Sequence, residues 1–150
     1  MVIQSPIFGE LEIDDNQIIQ FEKGIPGFPD ERQFVVLDLP NTPFFIMQSV
    51  QGELYFFLVN PFEFFKEYEI ELPDSIVESL GIEKEEDTVI YSIATVKEEL
   101  KNTTINLQAP IIINVKNNKA KQPVLNDSRY GIRQPIFQNA QSETALASAK

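Results

Sequence analysis

The sequence predicts a mainly β domain: a small antiparallel β-barrel, closed or nearly closed, with one short helix. Three observations predict it. Short apolar or alternating runs recur along the chain, each bounded by Gly, Pro, Asn or Asp, as half-buried strands and their turns require. Only one stretch carries the start and stop signals of a helix. Strands never alternate with long helices, so a parallel α/β sheet is excluded, and closure would protect the strand edges. With 150 residues, one domain can bury roughly 70% of the surface its unfolded chain exposes.

The elements follow in order. Gly9–Ile13 and Gln17–Phe21 alternate with period two around Asp14-Asp15-Asn16 and read as a hairpin with Glu10 and Glu12 outward. Phe21–Asp30 contains Gly24, Pro26, Gly27 and Pro29, a rigid bend rather than a linker. It lacks the Lys-Ser/Thr of a phosphate loop and the spacing of a dinucleotide fingerprint. Phe34–Leu37 is a continuous apolar run, expected as a strand covered on both faces. Phe44–Val50 and Leu54–Val59 form a second hairpin around Gly52, closed by Asn60-Pro61. The region Phe44–Phe65 holds seven of the twelve phenylalanines, more apolar mass than one strand face can hide.

Glu67–Leu72 alternates without a fault, placing Tyr68, Ile70 and Leu72 inward and Glu67, Glu69 and Glu71 outward in a row. Pro73–Leu80 is the helix, with Ser75 and Glu78 matching a capping box and Gly81 as its stop. Glu83–Asp87 is an acidic loop, and Thr88–Val96, rich in β-branched residues, is a long strand. Thr103–Leu107, Ile111–Val115 and Ala120–Leu125 complete the strands, the last two joined at Asn117-Asn118. Tyr130–Ile136 is a final edge strand. The domain is expected to span residues 1–137. Residues 138–150, poor in apolar periodicity, read as a disordered tail.

Composition narrows the function. Without cysteine or histidine, disulfides, Cys/His metal sites, thiol nucleophiles and Ser-His or Cys-His pairs are excluded, so a non-enzymatic protein without a cofactor is expected. No apolar stretch approaches the roughly 18 residues of a membrane span, and no basic-then-apolar leader opens the chain. A cytoplasmic protein, independent of membranes, is expected. The net charge of −11 divides unevenly: −7 over residues 1–60, −9 over 61–100 and +5 over 101–150. An acidic field repels nucleic acid and attracts basic partners, so direct nucleic-acid binding is disfavoured outside the basic C-terminal third.

The acid runs Glu67/Glu69/Glu71 and Glu83–Asp87 lack the glycine and ligand spacing of an EF-hand, and solvated charge is their default reading. Lys116, Lys119 and Lys121 around the Asn117-Asn118 turn read as charges that blunt a hairpin. Exposed members of the aromatic cluster, with Met47 and an acid rim, would anchor a protein partner. Two other classes fit the composition: a barrel that binds a small ligand in its aromatic interior, and a carboxylate-dependent metallohydrolase.

Gly24-Ile25-Pro26-Gly27-Phe28-Pro29, the Leu54–Val59 run closing on Asn60-Pro61, and Thr104–Asn114 (Thr-Ile-Asn-Leu-Gln-Ala-Pro-Ile-Ile-Ile-Asn) stand before Gln122-Pro123-Val124-Leu125, Tyr130 and Arg133. Together these stretches, from about residue 3 to residue 136, resemble the FliW family of bacterial flagellar assembly factors. The resemblance implies a non-enzymatic β-barrel with two mutually exclusive protein partners, flagellin and the RNA-binding translational repressor CsrA. It implies that family members freed from flagellin bind CsrA and relieve repression of flagellin translation, allosterically and by electrostatic exclusion of mRNA. For contacts, Phe44, Phe45, Met47, Phe62 and Phe64 are the expected apolar anchors. Asn114, Tyr130 and Arg133 are the polar fixers, Glu67, Glu69 and Glu71 add to the field, and a monomer is expected in the free state.

Overall fold

The computed structural model describes residues 1–127 and 129–137. Eleven strands form around one barrel: β1 Val2–Ser5, β2 Gly9–Glu12, β3 Ile19–Phe21, β4 Gln33–Asp38, β5 Phe44–Ser49, β6 Tyr55–Val59, β7 Thr88–Thr95, β8 Thr104–Ile105, β9 Ile111–Asn114, β10 Lys119–Lys121 and β11 Gln134–Pro135. Among the described residues there are two α-helices, α1 Pro61–Phe64 and α2 Asp74–Leu80. The predicted tail, 138–150, lies outside the described residues.

Strands β7-β6-β5-β4-β3-β10-β9 run side by side, and β9 returns to pair with β7, closing a seven-stranded barrel. The closing ladder sets Thr88 opposite Asn114 and Tyr91 opposite Ile111. The expected closure is therefore present. It is not purely antiparallel, because β10 runs parallel to β3, with Lys119 beside Gln20 and Ala120 beside Phe21. The C-terminal half of β7 continues past the barrel to pair with β8, which in turn pairs with β11.

Alternation along the strands produces three cores. The barrel interior holds Ile19, Phe21, Ile25, Phe34, Met47, Leu58, Ile111, Ile113 and Ala120, with Phe45, Phe56, Tyr91 and Ile93 packed against them. Phe21 meets Phe34 edge-on with ring centroids 5.5 Å apart. The interior is thus lined by apolar side chains that pack on one another. On one outer face Phe44, Val59, Tyr68, Ala94, Ile105, Leu107 and Ile136 form a second core. On another, the β1–β2 hairpin lays Ile3 and Leu11 over Val35 and Leu37. The apolar run Phe34–Leu37 is covered on both sides for this reason.

Four local expectations are corrected. Gly9–Ile13 does not pair with Gln17–Phe21. The first hairpin is β1 with β2, Val2 opposite Glu12, and a single 3-10 turn at Asp15–Gln17 carries the chain away into β3. Glu67–Leu72 alternates in burial as expected but joins no sheet. A second helix, α1, follows Asn60: the Asn60 side chain accepts a hydrogen bond from the Phe62 amide at 3.0 Å, and Pro61 occupies the first turn. In α2 the expected capping box is absent, since Pro73 takes the N-cap position, while Gly81 ends the helix in the left-handed conformation at φ 66°.

Candidate partner-binding face

Among the described residues no strand pairs with the chain between β6 and β7, and side-chain anchors hold it against the barrel. Tyr68 is the main anchor. Its ring is buried, its hydroxyl donates to the Leu107 carbonyl at 2.6 Å, and the ring of Tyr130 packs edge-on with centroids 4.7 Å apart. The Tyr130 hydroxyl accepts from the Glu69 amide at 3.0 Å. Arg129 lies over the Tyr130 ring at 5.0 Å and pairs with Asp127 at 2.8 Å. Hydrogen bonds from the Arg129 side chain hold the Asp127 carboxyl below its ordinary range. Burial pushes the Tyr68 phenol well above its ordinary value, with smaller contributions from Tyr130 and Asp127.

Anchoring of Tyr68 forces the neighbouring residues to alternate. Glu67, Glu69 and Glu71 face solvent, while Ile70 packs onto the outer core. Past Leu72 the chain enters α2, whose Val77 faces back toward Ile70 across a groove of about 580 Å³. Its floor is apolar, from Phe62, Ile70, Leu72, Val77, Ile82 and Ile90, and its rim carries Glu71, Glu83 and Glu85 without a lysine or arginine. Thr88 also lines it, and the Thr88 hydroxyl is buried without a hydrogen-bond partner. Glu71 and Leu72 are shared with a second groove of about 480 Å³, bordered by Glu69, Asp74 and Asp127. The two acid runs, separate in sequence, therefore flank one face. Apolar surface ringed by like charge suits a basic, partly apolar protein segment.

The expected contact residues divide. Phe62 is exposed at the mouth of the groove, 37% accessible, with its ring 5.5 Å from Tyr68. Phe64 is half-buried against Phe137. Arg133 is exposed before β11, and Tyr130 is half-buried. Of the other four, Phe44, Met47 and Asn114 are buried and not available as surface anchors, and Phe45 is half-buried. Met47 is fully buried and belongs, with Phe45, to the barrel interior, because both point inward from β5. Phe44 points the opposite way into the outer core, against Phe57. Asn114 is buried, donating to the Leu80 carbonyl at 2.8 Å and accepting from the Lys116 amide at 3.0 Å; it ties α2 to β9.

Sequence reasoning missed Val77, Ile82 and Ile90 as groove residues. Their apolar character was legible, but the groove is assembled from α1, the 70–72 stretch, α2, the 82–85 loop and β7, and no local pattern shows which meet. Among the described residues no three acidic side chains gather in an arrangement able to hold a metal ion, so the metallohydrolase reading has no site there. Nor, among them, is any helix long and apolar enough to cross a membrane.

Comparison with known proteins agrees with this architecture. The family model described as FliW protein matches residues 2–136. Flagellar assembly factor FliW of Caldicellulosiruptor saccharolyticus is 42% identical over 142 residues, covering 94% of this chain and 93% of that protein. Flagellar assembly factor FliW of Bacillus subtilis is 47% identical over 138 residues, covering 91% and 96%. A crystal structure of the flagellar assembly factor FliW superimposes with a TM-score of 0.87 at 44% identity, covering 91% of this chain and 97% of that one. The matched span includes the whole barrel and the anchored segment between β6 and β7, and the chain belongs to the FliW family of flagellar assembly factors.

Proposed function

We propose that this protein is a non-enzymatic, cytoplasmic assembly factor that binds flagellin and, in alternation, CsrA, and so relieves repression of flagellin translation. The observation that carries the reading is the acid-rimmed apolar groove with Phe62 at its mouth. A face of this kind is built to hold protein, since the apolar floor supplies contact area and the rim selects positive charge. A repressor that grips RNA is basic where it holds phosphates. A bound chain of net charge −11 opposes RNA docking nearby without covering the RNA site. In this reading the Glu67/Glu69/Glu71 row and the Glu83–Asp87 loop supply much of that field, and Phe62, Phe64, Tyr130 and Arg133 supply contacts.

The test is size-exclusion co-elution with CsrA, with flagellin monomer, and with both together. Each partner alone is expected to form a complex, and flagellin is expected to displace CsrA. Reversing Glu67, Glu69, Glu71, Glu83 and Glu85 to lysine is expected to leave the flagellin complex largely intact while weakening displacement of RNA from CsrA. Truncating Phe62 to alanine is expected to weaken partner binding by about tenfold, the loss typical of a peripheral aromatic anchor. Failure of both partners to co-elute at micromolar concentration refutes the reading. Full RNA displacement by the charge-reversed protein refutes its electrostatic part.

A further inference from the structure

Helix α2 has a second side. While Val77 faces the acid-rimmed groove, the preceding residue, Ile76, lines a different cleft of about 420 Å³ between α2, the Gly-Pro bend and the end of β10. Its accessible apolar lining comes from Pro26, Ile76 and Pro123, with Ile25 buried behind them in the barrel core, and its only charged residues are Lys23 and Lys121. Lys119 stands beside Lys121 in an adjoining hollow that also contains Glu22. Among the described residues the only ion pairs are Lys101 with Glu99 and Arg129 with Asp127, so Lys23, Lys119 and Lys121 have no carboxylate partner. A cleft whose lining charges are both positive is a local exception on a chain with 23 acids and 12 bases.

The cleft is also rigid. A Cβ on Gly24 would lie 2.5 Å from the Pro29 carbonyl oxygen, and Gly24 itself sits at φ 75°, so the bend closes on itself with no space to relax. The Ile25 amide and the Phe28 carbonyl complete the loop with a hydrogen bond, as do the Phe28 amide and Ile25 carbonyl. Opposite, Gln122 is held by its side-chain amide donating to the Ala109 carbonyl at 3.0 Å. Preformed walls lower the ordering cost of a docking peptide.

We infer that this cleft is a second protein-docking site, whose occupant is an acidic, extended segment of a partner protein with apolar side chains between its carboxylates. In an extended chain alternate side chains share a face about 7 Å apart. An apolar residue can then enter between Pro26, Ile76 and Pro123 while carboxylates two residues to either side meet Lys23 and Lys121. The charge requirement is stringent, because the rest of the surface repels such a segment, and only local cations can offset that repulsion. Two clefts of opposite preference thus share α2 as a wall.

The test uses the isotopically labelled full chain and the synthetic peptide acetyl-Glu-Ser-Leu-Ser-Glu-amide, whose leucine and two glutamates share one face when extended, followed by amide chemical shifts. Shifts are expected at Lys23, Gly24, Ile25, Gly27, Ile76, Lys121 and Gln122. The counterpart peptide with lysine in place of glutamate is expected to leave these amides unmoved. The double variant Lys23→Glu/Lys121→Glu, with an unchanged melting temperature, is expected to bind the acidic peptide at least about tenfold more weakly, the combined loss of two exposed charge contacts. Lys23→Gln/Lys121→Gln should give a smaller loss in the same direction. Absence of binding, shifts centred elsewhere, or equal affinity of either folded variant overturns the inference. Neither CsrA nor flagellin enters the experiment, so its outcome is independent of the function proposed above.

Discussion

At the scale of single residues, a few side chains decide which surface is free. Tyr68 is the clearest case, since one hydroxyl and one ring keep an unpaired segment against the barrel. Replacing Tyr68 with Phe removes the hydrogen bond to Leu107 and leaves a buried carbonyl unsatisfied, a loss of about 1 to 3 kcal/mol. The melting temperature at neutral pH should fall accordingly. The pH dependence gives a second signature. A phenol whose ionisation is raised in the folded state stabilises fully below the unfolded value near 10.0, and that stability drains away as pH climbs beyond it, because the unfolded chain alone releases the proton. Tyr91 is raised in the same direction, chiefly by burial. Tyr68→Phe should therefore show a shallower, not absent, alkaline loss above pH 10.0. A curve as steep as that of the parent would show that Tyr68 titrates normally. Asn114 teaches the reverse lesson: its position in the Ile111–Asn114 motif suggested a contact, but its hydrogen bonds to Leu80 and Lys116 make it a brace.

At the scale of elements, α1 sets where Phe62 stands. The helix is a single turn, too short to persist without its ends satisfied, and Asn60 supplies the cap. Asn60→Ala should cost about 1 kcal/mol, and by loosening that turn it should weaken partner co-elution more than its effect on melting temperature would suggest. If binding is unchanged, Phe62 is not positioned by α1. The signal for this helix is present in the sequence, since Asn60 followed by Pro61 is a cap followed by a first-turn proline, yet the same pair also closes strands. The strands of the barrel were legible where alternation or continuous apolar runs survive, as in β5, β6, β7 and β9. Their partners were less so. The β1–β2 hairpin turns through Pro6-Ile7-Phe8, without an Asn-Gly signal, whereas Asp14-Asp15-Asn16 offers a turn signal and makes a 3-10 turn instead. The parallel match of β3 with β10 joins residues about a hundred positions apart, and no local pattern encodes it. For the same reason the acid runs were visible and the groove between them was not: only folding brings Glu71 beside Glu83 and Glu85.

At the scale of the whole molecule, closure converts a charge gradient along the chain into separate surfaces. The acidic middle of the sequence, from Glu63 to Asp87, wraps one side of α2, while β10, from the basic last third, is inserted beside β3 and brings Lys119 and Lys121 to the other. A net charge of −11 acts on a basic partner well before contact, and it raises the association rate more than the strength of the final complex. Salt shortens that reach, from about 30 Å at 0.01 M to about 8 Å at 0.15 M. The association rate with CsrA should therefore fall steeply across that range, about tenfold or more, while the dissociation rate changes little. The Glu67/Glu69/Glu71/Glu83/Glu85 reversal should flatten the association curve, because the local field near the groove is the part that aims the partner. Stopped-flow measurements at several ionic strengths separate the two rates. If salt acts on dissociation instead, the charges work as contacts within the complex, and exclusion of RNA must then come from shape and not from a long-range field.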